Sequence, residues 1–192
     1  MARPRAFNET AVLTQAMHAF RHEGFAGVSI RDLERATGLT SGSLYNAYRD
    51  KSGLFEAAFA FYVSAFVRPR IELYAGPGAT LDDLENLFLS LLEAPMTDGG
   101  GCLATNSAVE FGPAPSIASK HITDAWAPLE ENMRALIARE ISSAHAQETA
   151  LRLLLLYQGM LVLSRAGRFD QRRGDVIRAE FDRLRALRKP NG

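Results

Sequence analysis

Between Ser29 and Lys51 the sequence gathers small hydroxyl, amide and cationic side chains at short spacings: Ser29, Arg31, Thr40, Ser41, Ser43, Tyr45, Asn46 and Lys51, with Gly42 among them. Hydroxyls and amides suit base edges, and short donors and cations hold phosphate oxygens. This is recognition chemistry. Catalysis has little to draw on: no nucleophile stands beside a base, Gly-x-Ser-x-Gly is absent, and His18, His22, His121 and His145 are scattered. A single cysteine excludes a disulfide framework and a Cys-based zinc site. No metal, no cofactor and no enzymatic activity are expected.

Net charge argues against nucleic acid only at first sight. The 192 residues carry 22 Lys+Arg and 22 Asp+Glu, but the zero is a cancellation. Residues 1–55 are at +2, residues 56–164 at −7 and residues 165–192 at +5. Nineteen of the 22 basic residues are Arg, which favours forked, paired contacts over diffuse solvation. Hydrophobic residues make up 47%, enough to bury a core, and no run nears the ~20 apolar residues of a membrane span. The N-terminus is basic but lacks the apolar stretch of a signal peptide, so a soluble cytoplasmic protein is expected. Arg3 and Arg5 suit either a minor-groove arm or a tag-like tail.

The elements that must position these residues are helical nearly throughout. Asn8 caps a helix in which Val12, Leu13, Ala16, Met17 and Phe20 recur at three- and four-residue steps to near Gly24. Ser29 with Asp32 makes a capping box for a short helix to Thr37, stopped by Gly38. A third helix spans about Ser41–Tyr48. Asp50 or Ser52 opens a long apolar helix that Pro69 kinks or ends. Thr80 with Asp83 is a second capping box. Further helices are expected over Leu103–Phe111, about Ser116–Ile141 with a possible kink at Pro128, Gln147–Ala166, and Asp170–Leu187. The fold class is all-α.

Three helices in the first ~48 residues, the second and third joined by a tight turn, are the helix-turn-helix pattern, whose third helix enters the major groove by its N-terminal residues. Leu33 and Ala36 face the core of the triplet, and Leu39 and Leu44 plug the third helix against the second. The string Phe20…Gly24-Phe25, Ser29-Ile30…Leu33, Gly38-Leu39-Thr40-Ser41-Gly42-Ser43-Leu44-Tyr45…Tyr48…Lys51…Leu54 resembles the DNA-binding domain of TetR-family transcriptional repressors. The likeness covers about a quarter of the chain. It departs at Ser41, where a basic residue is frequent, at Ala47, where His is frequent, and at Glu34, which replaces a small apolar residue and is expected on the surface. The resemblance implies phosphate contacts from Ser29, Arg31, Tyr45 and Lys51. Thr40, Ser41 and Ser43 would meet bases or phosphates, Asn46 would lie at the groove, and Gly42 would allow close approach. Ser29 is a sound N-cap whatever it touches, and Tyr48 suits the core.

A small, mildly basic head needs doubling to hold a palindrome. Residues 147–187 offer the means. One face of the penultimate helix carries Leu151, Leu154, Gln158 and Leu161, and the other Leu153, Tyr157, Met160 and Ser164; a helix apolar on both sides must bury both. Leu151, Leu154, Gly159, Leu161, Phe181 and Leu184 are the expected homodimer interface, with Gly159 allowing close backbone approach. A fully buried central helix of a monomer fits the same pattern. The last helix turns its Arg residues outward for solvation or, less favoured, a second DNA patch.

The resemblance places an effector pocket in residues 56–146. Phe61, Phe88, Cys102, Asn106, Glu110, Trp126, Tyr157 and Gln158 are the expected lining, for a small, mostly apolar effector. Each aromatic equally suits plain core. Cys102, beside three glycines at a helix start, suits either a thiol sensor or a small core residue.

The expectation is therefore a helix-turn-helix domain over 1–55, joined by a long helix to an effector-binding and dimerisation bundle over 56–192. It implies a sequence-specific, double-stranded-DNA-binding regulator, most often a repressor, released by an effector, with no membrane association. An all-α carrier or enzyme without DNA binding, a thiol-sensing repressor and a structural helical dimer are the alternatives.

Overall fold

The computed structural model describes residues 7–94, 96–168, 170 and 172–188; Arg3 and Arg5 lie outside them. In chain order the helices are α1 (Glu9–Gly27), α2 (Ile30–Thr37), α3 (Ser41–Tyr48), α4 (Lys51–Tyr62), α5 (Arg68–Ala75), α6 (Leu81–Leu89), α7 (Leu103–Phe111), α8 (Ser119–Glu140), α9 (Ala146–Arg165) and α10 (Arg172–Ala186). Local chemistry accounts for most of the boundaries. The Asn8 side chain accepts from Ala11 N at 3.1 Å and opens α1. Both expected capping boxes form, and Asp50 rather than Ser52 caps α4 by accepting from Gly53 N at 2.8 Å. Gly38 takes φ 70°, which frees the chain to turn from α2 into α3. Pro69 cannot donate to the carbonyl four residues back; a π-helical turn, Val63–Val67, precedes it before α5 resumes. Pro128 stays inside α8, which remains one helix.

The chain divides into two compact units that are not consecutive in sequence. One comprises the residues up to Phe66 together with Cys102–Thr123; the other comprises Val67–Gly101 and the residues from Asp124 on. A cut after residue 55 would fall inside α4, whose apolar face continues through Phe55, Ala58, Phe59 and Tyr62, all buried. In the first unit Phe20, Phe25, Phe55 and Phe111 form a ring cluster with centroids 5.1–6.3 Å apart. This cluster ties α7 to α1 and α4, so a segment about 50 residues further along the sequence completes the core of the head.

The second unit packs α6 against α5 and α10. Phe88 is fully buried with Tyr157 at 5.2 Å and Phe181 at 5.4 Å. Arginines hold its corners. Arg139 donates to the carbonyls of Pro77 and Ala79, and Arg185 bridges Asp82, Glu85 and Asp182. The hydrogen bond to Glu85 is the largest influence that keeps Arg185 protonated beyond the ordinary guanidinium range. Other arginines of the basic C-terminal segment are paired too: Arg178 with Asp175, Arg183 with Glu180, and Arg188 with Glu140.

Candidate nucleic-acid interface

The second helix begins with a closed ring of hydrogen bonds. Ser29 N donates to Asp32 Oδ2 at 2.9 Å, Ser29 Oγ donates to the same oxygen at 2.6 Å, and Asp32 N donates back to Ser29 Oγ at 3.2 Å. These bonds, the Ser29 hydroxyl foremost and Arg35 after it, hold the Asp32 carboxyl down at about 2. Ser29 is therefore first a cap, and its hydroxyl proton is already committed to Asp32. Arg31, one residue before Asp32, is exposed.

The third helix presents its polar start to solvent. Thr40 caps it by accepting from Ser43 N at 3.3 Å, and its hydroxyl donates to Ser43 Oγ at 3.2 Å. Tyr45 is 47% exposed, unusual for so large a ring, and Asn46 beside it is exposed too. A Cβ on Gly42 would meet only the Thr40 hydroxyl at 4.0 Å, so its outer side is open. Leu44 and Tyr48, on the opposite side, are buried. The helix N-terminus adds a partial positive charge at the face that would meet phosphate.

Two features of this face were not legible in the sequence. Glu34, expected on the surface, is half-buried, and its Oε1 accepts from Ser41 N at 2.5 Å. A carboxylate thus occupies an N–H of the third helix that would otherwise be open to phosphate. Lys51 is also not a free cation on a flexible stem: its Nζ lies 4.6 Å from the centroid of the Phe25 ring, a cation–π contact that fixes where the ammonium sits. With Arg31 and Arg49 exposed nearby in sequence, the face is modestly basic and shaped more by hydrogen-bonding geometry than by bulk charge.

The family model for bacterial regulatory proteins, tetR family, matches residues 12–58. The HTH-type transcriptional repressor ComR of Escherichia coli is 25% identical over 174 residues, covering 86% of this chain and 83% of ComR. A TetR transcriptional regulator from Chloroflexus aurantiacus superposes with a TM-score of 0.73 at 26% identity over 93% of each chain. The helix-turn-helix domain of this chain is that of the TetR family. The chain is a DNA-binding transcriptional regulator with an N-terminal helix-turn-helix and a C-terminal helical region. A further structure with the same fold is a cysteine mutant of the TetR-family regulator CifR complexed with 26-bp double-strand operator DNA, TM-score 0.70 and 24% identity, covering 98% of this chain and all of that one.

The expected effector residues of this chain divide between the two units. In the first, Phe61 is half-buried with its ring edge-on to Phe66. Cys102 is buried, and its Sγ accepts from the Tyr62 hydroxyl at 3.3 Å, which gives a thiol reagent no open approach. Asn106 and Glu110, expected as polar anchors, have their polar groups on the backbone of α1: Asn106 Nδ2 donates to Arg21 O at 3.0 Å, and Glu110 accepts from Phe25 N at 2.9 Å and Ala26 N at 2.7 Å. In the second unit Phe88 and Tyr157 are core, and Gln158 is half-buried. Trp126 is half-buried, and its indole N–H is shielded from solvent with no acceptor among the described residues. An open cleft of about 800 Å3 lies in this unit beside Tyr74, Asn86, Glu93, Asp175 and Arg178, and none of the expected effector residues lines it.

The expected interface also needs correction. Leu161, Phe181 and Leu184 are 3%, 0% and 0% exposed. They are covered within their own protomer, where Tyr157 of α9 and Phe181 of α10 pack on Phe88, so they are not available to a partner. Leu154 is half-buried, whereas Leu151 and Gly159 are exposed on the outer side. The open apolar stripe of α9 runs instead through Leu151 (46%), Leu155 (66%), Gly159 and Val162 (49%), at helical spacing.

Proposed function

We propose that the chain represses transcription as a homodimer on a palindromic operator and leaves it when a small, mostly apolar effector binds. The observation that carries this is the third helix, with Tyr45 and Asn46 exposed, Gly42 open on its outer side, and Leu44 and Tyr48 anchored in the core. Phosphate contacts come from Arg31, Tyr45 and Lys51, and base-edge contacts from Thr40, Ser41, Ser43 and Asn46. The α9 stripe through Leu151, Leu155, Gly159 and Val162 supports dimerisation, which sets half-sites about one helical turn apart. The operator complex of CifR supports the DNA arm of the proposal.

For the effector, the Trp126 N–H, which has no acceptor among the described residues, supports this side chain as a polar group that orients an otherwise apolar molecule. The effector acts by mass action: it binds the conformation with low operator affinity and weakens DNA binding by its differential affinity for the two states. The protein works without catalysis, in the cytoplasm; among the described residues no helix is long and apolar enough to cross a membrane.

Selection of duplexes from a random pool by the purified chain, together with genome-wide recovery of bound DNA, tests the proposal. A shared two-half-site sequence is expected. Failure to enrich any sequence would overturn it and revive a carrier. Trp126 is the only tryptophan, so its fluorescence reports effector binding directly.

A further inference from the structure

Helix α1 is interrupted near its end. Gly24 sits at φ 77°, ψ 170°, a conformation that takes Phe25 N–H out of line with the Arg21 carbonyl four residues back. A break of this kind leaves a donor and an acceptor orphaned, and each needs a new partner. Both are supplied by one face of α7. Asn106 Nδ2 donates to Arg21 O at 3.0 Å, and four residues on, Glu110 Oε2 accepts from Phe25 N at 2.9 Å while Oε1 accepts from Ala26 N at 2.7 Å. A Cβ on Gly24 would stand 2.9 Å from Glu110 Oε2, so the glycine supplies both the turn and the room for the carboxylate. The residue held by this bridge is Phe25, whose ring packs at 5.1 Å on Phe55 and 5.5 Å on Phe111 and carries the Lys51 ammonium at 4.6 Å.

We infer that Asn106 and Glu110 are positioning residues for DNA binding: they splice the broken backbone of α1 and so place Phe25, which in turn aims Lys51 at the DNA backbone. The inference rests on the DNA-binding reading above. It assigns a use to two polar residues that first look like effector ligands, and to the Asn-x-x-x-Glu spacing that follows Cys102.

The test uses the full chain and a duplex that the wild type selects from a random pool. Affinity is measured over a salt series for Glu110→Ala, the milder Glu110→Gln, Asn106→Ala, Lys51→Ala and the Glu110→Ala/Lys51→Ala double variant. Loss of the Glu110 bridge is expected to weaken binding about three- to tenfold, as loss of one or two hydrogen bonds to a charged group would. The slope of log K against log salt should become shallower by about 0.9 for each phosphate that no longer has a protein cation beside it. Lys51→Ala should show the same flattening, and the double variant should lose little more than either single one. In 15N spectra the Phe25 and Ala26 amides should move upfield and exchange faster in Glu110→Ala. A bridge that only stabilised the fold would lower the melting temperature and leave the salt slope unchanged. An unchanged slope, or losses that add in the double variant, overturns the inference. If Glu110→Ala does not fold, Glu110→Gln carries the test with the same slope criterion. A wild type that selects no duplex overturns the DNA-binding reading, and this inference with it.

Discussion

Leu155→Glu should separate the protomers without unfolding them. Leu155 is 66% exposed on α9, between Leu151 and Val162 on the same stripe. In a twofold interface the same side chain is covered twice. Full burial of a leucine side chain contributes about 1.5–3 kcal/mol, and two-thirds of that, counted for two copies, gives about 2–4 kcal/mol. The dimer dissociation constant should therefore rise about 30- to 1000-fold, before any added cost of covering a carboxylate. Sedimentation velocity over a concentration series reads this directly, with circular dichroism as the folding control. The contrasting variant is Leu161→Glu: at 3% exposure it places a charge in the protomer's own core and should lower the melting temperature steeply. Leu155→Glu sedimenting as a dimer of wild-type strength would refute the interface and the area reasoning behind it.

Glu34→Ala removes the carboxylate from Ser41 N and one negative charge from the face proposed to meet phosphate. It should strengthen binding to every duplex about fivefold at low salt, as about 1 kcal/mol of relieved repulsion implies; equal or weaker binding in a titration would contradict this role. Ser29→Ala should cost about 1 kcal/mol of stability through the lost cap and let the Asp32 carboxyl rise from about 2 toward its ordinary value, followed by NMR titration. Because the folded value is depressed, the Asp32 contribution is complete above pH ~4 and fades as pH falls through about 2; an unmoved titration in the variant would count against the capping box as its cause. Phe88→Ala empties the site between Tyr157 and Phe181 and should destabilise the fold by about 3–5 kcal/mol in chemical denaturation. A loss below about 1 kcal/mol would mean the second unit's core lies elsewhere.

The features that the sequence disclosed correctly are those whose causes lie within a turn or two of chain. Ser29 with Asp32, Thr80 with Asp83, and Asn8 before Ala11 form caps from residues three apart, and these set where α2, α6 and α1 begin. Gly38 between two short apolar-periodic segments marks the turn into the third helix in the same local way. The polar face of that helix was legible because its apolar residues, Leu44 and Tyr48, have only one side on which to be buried.

Where partners lie far apart in sequence, the local pattern is silent. Asn106 and Glu110 read as pocket ligands because nothing near them reveals a broken helix about 85 residues earlier. Helix α9 is apolar nearly all round, so periodicity alone could not say which leucines its own protomer would cover. Leu161 is buried with Tyr157 on one side of the helix, where Tyr157 packs on Phe88, and Leu155 stays out on the other. The sequence by itself determined an all-helical regulator with a helix-turn-helix head, because helix period, caps and turn glycines act over a few residues. Tertiary structure alone decided which apolar face remains open, that the Glu34 carboxylate of α2 accepts from Ser41 N of the third helix, and that α7 completes the head, because side-chain burial and orphaned backbone groups are satisfied by whatever packing brings near.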